Sequence, residues 1–185
     1  MTELVLEETE EKMQQACESL KREFSRVRTG KASPALLDGI RIEYYGSQMP
    51  LRQVANISAP EPRLLVVQPW DRTALPAIEK AISKSELGLH PLNDGAVIRL
   101  PIPTLTEERR KDLVKLVRKL SEDARVSVRN IRRSEIEEMR KLEKAGDITE
   151  DELHKGTDKI QEITDRHISV VDDLLKAKER EVMEV

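Results

Sequence analysis

All nine prolines of this chain fall between Pro34 and Pro103, and that confinement limits the fold more than any other feature. Proline inside a helix removes a donor and clashes with the preceding turn. The two proline-free flanks can therefore be helical throughout, and both carry apolar residues at helical spacing. A first helix is predicted over roughly residues 3–28, with Leu6, Met13, Cys17, Leu20, Phe24 and Val27 along one line. A second starts near Thr106, whose hydroxyl can cap it ahead of Glu107 and Glu108, and stops at Gly146-Asp147 after about Ala145. Leu113, Val117, Leu120, Ala124, Val128, Ile131 and Leu142 form its apolar face. The third opens at Thr149 with Glu152 three residues on, a capping box. Its seam is Leu153, Ile160, Ile163, His167, Val170 and Leu174. Three such helices, the last two antiparallel across a short turn, bury their seams best as an elongated bundle, up to about 60 Å long at ~1.5 Å per residue.

The proline-containing window reads as a different material. Arg41 to Tyr44 alternates with the period of a strand and ends at a turn around Gly46; Leu51 to Ser58, Leu64 to Gln68 and Ala96 to Leu100 also look extended, and Ala74 to Lys84 gives one short helix. The expected fold class is α+β: residues 1–29 plus 105–185 build the bundle, and residues 30–104 form a small, strand-rich α/β domain inserted into it. Both crossings are short. Thr29, Gly30, Lys31, Ala32 and Ser33 lead in, and Pro101, Ile102, Pro103 and Thr104 lead out. One glycine-containing and one proline-stiffened linker side by side make a hinge of restricted freedom.

The second helix carries a further pattern. At about 100° per residue, Arg118, Arg125, Arg129, Arg132, Arg133 and Arg140 fall within an arc of roughly 100°, centred about 140° from the apolar face. Guanidinium groups suit phosphate, which they can grip with two parallel hydrogen bonds. A charged face is also often merely solvated, and Glu122, Glu135, Glu137 and Glu138 stand where they could pair with these arginines. Charge distribution favours a polyanion. Residues 105–133 hold ten Lys/Arg against five Asp/Glu, and residues 142–185 hold seven against thirteen, in a chain of net charge −3. One face is built for an anion while the rest keeps the chain soluble. Single-stranded nucleic-acid binders stack bases on aromatic side chains; the only aromatics here are Phe24, Tyr44, Tyr45 and Trp70, none of them on the arginine face. Phosphate and shape recognition is therefore expected, not base stacking.

Enzyme chemistry finds no support. Cys17 is the only cysteine, so no intrachain disulfide or cysteine-based metal cluster can form, and its place on an apolar helix line suits a small buried thiol. His90, His154 and His167 have no metal-ligand spacing, and His167 fits a packed core position. Gly30-Lys31 resembles the end of a phosphate-binding loop, but Ser25 stands where that motif needs glycine and Ala32 where it needs Ser or Thr. No cofactor and no metal are expected. The acidic start, MTELVLEETEE, lacks the order of a signal peptide, and the longest aliphatic run, Leu64 to Val67, is far too short to span a bilayer. A cytoplasmic protein without a membrane partner is expected.

Several segments closely resemble the bacterial ribosome recycling factor family: RTGKASPALLDGI (28–40), EYYG (43–46), LTEERRKDLVKLVRK (105–119), VSVRNIRR (126–133) and KEREVMEV (178–185). The resemblance runs end to end. It implies an L-shaped outline reminiscent of transfer RNA, with a three-helix bundle hinged to a smaller domain. It also implies a monomer that binds the post-termination ribosome, mainly the rRNA of the large subunit, and splits it into subunits with elongation factor G, which supplies GTP hydrolysis. By the same resemblance Arg129, Arg132 and Arg133, with Arg110 nearer the hinge, contact ribosomal RNA. A coiled-coil scaffold binding protein partners through its charged faces is the alternative from another class. A salt titration separates the two, since log K for RNA falls by about 0.7–0.9 per neutralised phosphate.

Overall fold

The computed structural model describes residues 1–184. Four helices and six strands follow one another: α1 (Thr2–Arg26), β1 (Arg41–Tyr44), β2 (Ser47–Pro50), β3 (Ala55–Glu61), β4 (Leu64–Pro69), α2 (Leu75–Lys84), β5 (Leu92–Asn93), β6 (Ile98–Pro101), α3 (Glu107–Lys144) and α4 (Glu150–Met183). The chain divides into two compact units. One comprises Met1–Phe24 and Val114–Arg180; the other comprises Ser25–Leu113 and, of the described residues, also 181–184.

In the first unit α1, α3 and α4 bury their apolar faces against one another. The turn between α3 and α4 follows from local chemistry. Gly146 adopts φ +79°, its N–H donates to Glu143 O and the N–H of Asp147 donates to Leu142 O. These two bonds close a Schellman motif that satisfies the last carbonyls of α3. The capping box forms as expected: Thr149 N donates to Glu152 Oε2 at 2.7 Å, and Glu152 N to Thr149 Oγ1 at 3.2 Å. Ile148, just outside the box, joins Val5, Met139 and Ile160 in one buried cluster, with Leu153 packed against it.

The buried seams differ from the purely apolar lines in phase. On α1 the core positions are Val5, Thr9, Met13, Cys17, Leu20 and Phe24, with Leu6 only half-buried. On α4 they are Gly156, Ile160, Thr164, His167 and Val171, while Ile163 and Val170 sit at the margin. On α3, Ser121, Glu135 and Met139 join Leu113, Val117 and Val128. Hydroxyls explain the shift. Thr9 donates to Val5 O (2.7 Å), Ser121 to Val117 O (3.0 Å) and Thr164 to Ile160 O (2.8 Å). Each spends its donor on the carbonyl one turn back, so a polar residue occupies the core without needing a partner on another helix. Glu135 does need one. Its side chain is 3 % exposed and receives Lys12 Nζ of α1 at 2.5 Å. The pairing with neighbouring arginines expected for Glu135 is replaced by this bond between helices.

His167 is buried as expected, with Nδ1 2.8 Å from Ile163 O and Nε2 3.4 Å from Glu10 Oε1. Cys17 lies beside it, Sγ 3.8 Å from His167 O. Burial pushes the Cys17 thiol pKa up, the opposite of what a nucleophile requires.

In the second unit β3, β4, β6 and β5 form an antiparallel sheet in that order, and β1 and β2 form a separate hairpin. Tyr45 (φ +49°) and Gly46 (φ +76°) make the hairpin turn, both left-handed as a two-residue loop that matches strand twist requires. Leu37, Ile42, Leu51, Leu65, Val67, Ile78, Ile82, Ile98 and Leu100 fill the core between the strands and α2. Two expected strands are shorter than the sequence pattern. Leu51–Gln53 forms a 3-10 turn, because Leu51 N donates to Ile40 O and Val54 N returns to Leu51 O, so β3 begins only at Ala55. Ala96 and Val97 give their N–H groups to Asp94 Oδ1, each at 2.9 Å, in a turn that also holds Gly95 at φ +89°. That turn delays β6 to Ile98.

Candidate nucleic-acid interface

The sequence places Arg118, Arg125, Arg129, Arg132, Arg133 and Arg140 within one arc of α3, and the structure divides them by what they hold. Arg118, Arg125 and Arg132 are spaced by sevens, close to two helical turns, and each reaches a residue of α4. Arg118 Nε bonds Glu179 Oε1 at 2.7 Å. Arg125 directs Nε and Nη2 at Asp172 Oδ1, at 2.9 and 2.6 Å, and its Nη1 at Glu122 at 3.2 Å. Arg132 Nη1 bonds Gln161 Oε1 at 3.1 Å. The partners descend along α4 as the arginines ascend α3, as antiparallel helices require. No pattern within α3 names Asp172, Glu179 and Gln161; the seven-residue spacing of the three arginines is the one trace of that contact in the sequence.

The grip differs among them. Arg125 is 19 % exposed, against 65 % for Arg118. Burial pulls the Arg125 pKa down, but its hydrogen bonds to Asp172 and Glu122 outweigh that and hold it above the ordinary value. Glu122 is held below the usual carboxylate range by hydrogen bonds from Arg129 and Arg125. It bridges the α4-facing row to the outer one.

Arg129, Arg133 and Arg140 form that outer row. Arg129 reaches Glu122 at 3.1 Å and stays 41 % exposed; Arg140 lies 3.6 Å from Glu137 with 59 % exposure. Arg133 is exposed and has no hydrogen bond or ion pair among the described residues. Exposed pairs of this kind contribute about 0–1 kcal/mol, so a phosphate can displace Glu122 or Glu137 at little cost. Arg132 offers a further hand, since its Nε is buried and finds no acceptor among the described residues. Arg110, in the first turn of α3, has an unpartnered buried Nε too.

The two linkers are tied within the second unit. Ala32 N donates to Pro62 O at 2.6 Å and Ile102 N to Arg63 O at 2.8 Å. Arg63 also donates to Ile102 O and to Thr104 Oγ1. Arg28 Nη2 donates to Pro103 O at 3.0 Å, and Thr29 Oγ1 accepts from Lys31 N at 3.3 Å. Lys31 pairs with Glu184 at 3.0 Å. Gly30 has open space around it: a Cβ built there meets nothing within 4 Å. Ser33 caps the 3-10 turn Pro34–Leu37 by accepting from Ala35 N at 3.4 Å. Among the described residues no group of three or more His, Cys, Asp or Glu could hold a metal ion, and no helix is long and apolar enough to cross a membrane.

The chain is closely similar to known proteins. A family model described as ribosome recycling factor matches residues 20–183. The ribosome-recycling factor of Carboxydothermus hydrogenoformans is 56 % identical over 185 residues, 100 % of both chains. A solution structure of a ribosome recycling factor superposes with TM-score 0.79 at 45 % identity, covering 100 % of this chain and 98 % of its own. A second structure, TM-score 0.69 and 47 % identity with both chains covered in full, is described as models for the T. thermophilus ribosome recycling factor and the E. coli elongation factor G bound to the E. coli post-termination complex. With the family model spanning nearly all of it and such relatives matching it from end to end, this chain belongs to the ribosome recycling factor family.

Proposed function

We propose that this protein binds the post-termination ribosome and, with elongation factor G and GTP, splits it into subunits for a new round of translation. The observation that carries the proposal is the full-length likeness to a recycling factor described as bound, with elongation factor G, to the post-termination complex. Arg110, Arg129, Arg132 and Arg133 contact large-subunit rRNA, with Arg118, Arg125 and Arg140 flanking them. Arg133, unpaired and exposed, and the orphaned Nε groups of Arg110 and Arg132 support that assignment. Elongation factor G supplies the energy, and this chain is the passive element on which it acts. The protein works in the cytoplasm as a monomer.

A recycling factor of this kind needs an anchor, a lever and a swivel. The arginine face of α3 is the anchor and the three-helix unit the lever. The linkers Thr29–Ser33 and Pro101–Thr104 are the swivel, one permissive through Gly30 and the other stiffened by Pro101 and Pro103. Sucrose-gradient sedimentation of post-termination ribosomes tests the whole. Adding the protein with elongation factor G and GTP should convert 70S particles to subunits, and omitting any one of the three should not. Ribosomes that stay intact with all three present would overturn the reading.

A further inference from the structure

The arginines of α3 that face α4 follow a repeat, and so do the acids they meet. Arg118 and Arg125 are seven residues apart, as are their partners Glu179 and Asp172. Seven more lead to Arg132 on one helix and Asp165 on the other, so an unbroken repeat would close a third ion pair. The structure does not close it. Arg132 Nη1 donates instead to Gln161 Oε1 at 3.1 Å, and Gln161 Nε2 donates to Asp165 Oδ1 at 2.8 Å. The amide has one orientation that serves both neighbours. Turned over, its NH2 group would face a guanidinium and its oxygen a carboxylate. Asp165 therefore orients Gln161, and Gln161 orients Arg132.

Arg118, Arg125, Arg129 and Arg140 each lie against a carboxylate. Arg132 forms no ion pair among the described residues. Arg133 is unpaired too, but nothing holds it in place. Of the six arginines in the arc, only Arg132 is both held and left with its charge uncompensated. A neutral amide oxygen can do this, whereas a carboxylate would hold the guanidinium and neutralise it together. Arg132 and Gln161 are both half-buried, so an acid in place of Gln161 would compete with a phosphate harder than the exposed Glu122 does. We propose that Gln161, oriented by Asp165, is a positioning residue for ribosomal RNA binding. It aims the Arg132 guanidinium and keeps the Asp165 carboxylate one side chain away, so that the charge stays open to phosphate. A side chain ordered beforehand loses less freedom when RNA arrives. The inference rests on the RNA-binding role proposed above for Arg132.

The test uses Gln161→Glu, Gln161→Met and Arg132→Ala, alone and with each Gln161 change placed on the Arg132→Ala background. Affinity for purified large ribosomal subunits is measured across a salt series, and the melting temperature of each protein is recorded. Gln161→Glu keeps the bond and adds a charge. It should weaken binding about fivefold to fiftyfold and shallow the log K against log salt slope by about 0.7–0.9, one phosphate contact. Gln161→Met keeps the stem and removes the amide, and should weaken binding about threefold to tenfold through lost ordering. Both variants should melt within about 2 °C of wild type, as surface substitutions do. On the Arg132→Ala background neither change should alter affinity more than about twofold, because the guanidinium through which Gln161 acts is gone. A merely structural glutamine would behave differently: a lowered melting temperature with affinity and salt slope unchanged overturns the proposal. So does a carboxylate that weakens binding as much without Arg132 as with it, since it would then repel RNA directly. If Arg132→Ala weakens binding while both Gln161 variants stay within about twofold of wild type, only this inference falls. If Arg132→Ala itself binds like wild type, the RNA-binding role falls with it.

Discussion

Arg125 and Arg133 stand two turns apart on one helix, and the structure predicts opposite consequences for removing them. Arg125 makes three hydrogen bonds to Asp172 and Glu122 and is 19 % exposed. Charged hydrogen bonds are each worth about 1.5–3 kcal/mol when buried. Asp172 and Glu122 are 44 % and 53 % exposed, so solvent screening brings the whole set down to about 1–2 kcal/mol. For a chain of this length that corresponds to a fall in melting temperature of roughly 2–8 °C. Arg133 has nothing to lose in the free protein, so Arg133→Ala should melt within about 1 °C of wild type, as surface substitutions do. If its guanidinium grips a phosphate, affinity for the large subunit should drop roughly tenfold to a hundredfold. Arg125→Ala, whose charge is already committed to α4, should weaken binding by only a few fold. Differential scanning fluorimetry and subunit binding on the same two proteins decide the matter. Arg133→Ala with wild-type affinity, beside a stable Arg125→Ala that no longer binds, would refute the division of the arginines into gripping and free rows.

Gly30→Pro should leave binding to the large subunit within a few fold while splitting with elongation factor G falls much further, because proline fixes φ where the proposed swivel needs freedom; equal loss of both would mean damaged docking. Gly156→Ala places a Cβ 2.1 Å from Met139 Cε. The gain of about 1 kcal/mol in helix propensity is then opposed by about 1–3 kcal/mol of overpacking, and pairing it with Met139→Ala should cost less than the sum of the two single changes in chemical denaturation. Asp94 is held at about pKa 2 by the N–H groups of Val97 and Ala96 and by Arg99. Its stabilisation is therefore complete above its ordinary value of 3.8 and is lost as the pH falls toward 2. Melting curves of wild type and Asp94→Asn should differ near neutral pH and converge through that window, and a constant gap across it would contradict the assignment.

The sequence made the long helices plain, because proline is excluded from them and their caps are encoded locally. Thr149 and Glu152 form the box their spacing announces, and Gly146 ends α3. The phase of the seams was harder to read. A search for apolar residues passes over Thr9, Ser121 and Thr164, whose hydroxyls are satisfied within their own helix. It also passes over Glu135, whose partner is more than a hundred residues away. In the strand-bearing unit alternation located β1 and an aliphatic run located β4, but β2 and β5 are short strands, half or fully exposed, with little apolar signal. Angular position on α3 gathered the arginines into one arc. Which of them face α4 depends on Asp172, Glu179 and Gln161, and only the packed structure brings those residues into reach.

The bond between Lys12 and Glu135 bears on how the three-helix unit carries load. A helix pushed lengthwise can yield by creeping past its neighbours one turn at a time, about 5.4 Å per step. The close-packed seams resist this, and a polar layer resists it further. Glu135 makes the layers unequal. One step of α1 along α3 would carry Lys12 Nζ away from a carboxylate that is 3 % exposed. Stranding such a charge costs about 3–5 kcal/mol when it is fully enclosed, and the half-exposed lysine reduces that figure without abolishing it. The pair therefore acts as a shear pin. Thrust applied along the helices is passed on as movement of the whole unit and is not dissipated as slip between its parts.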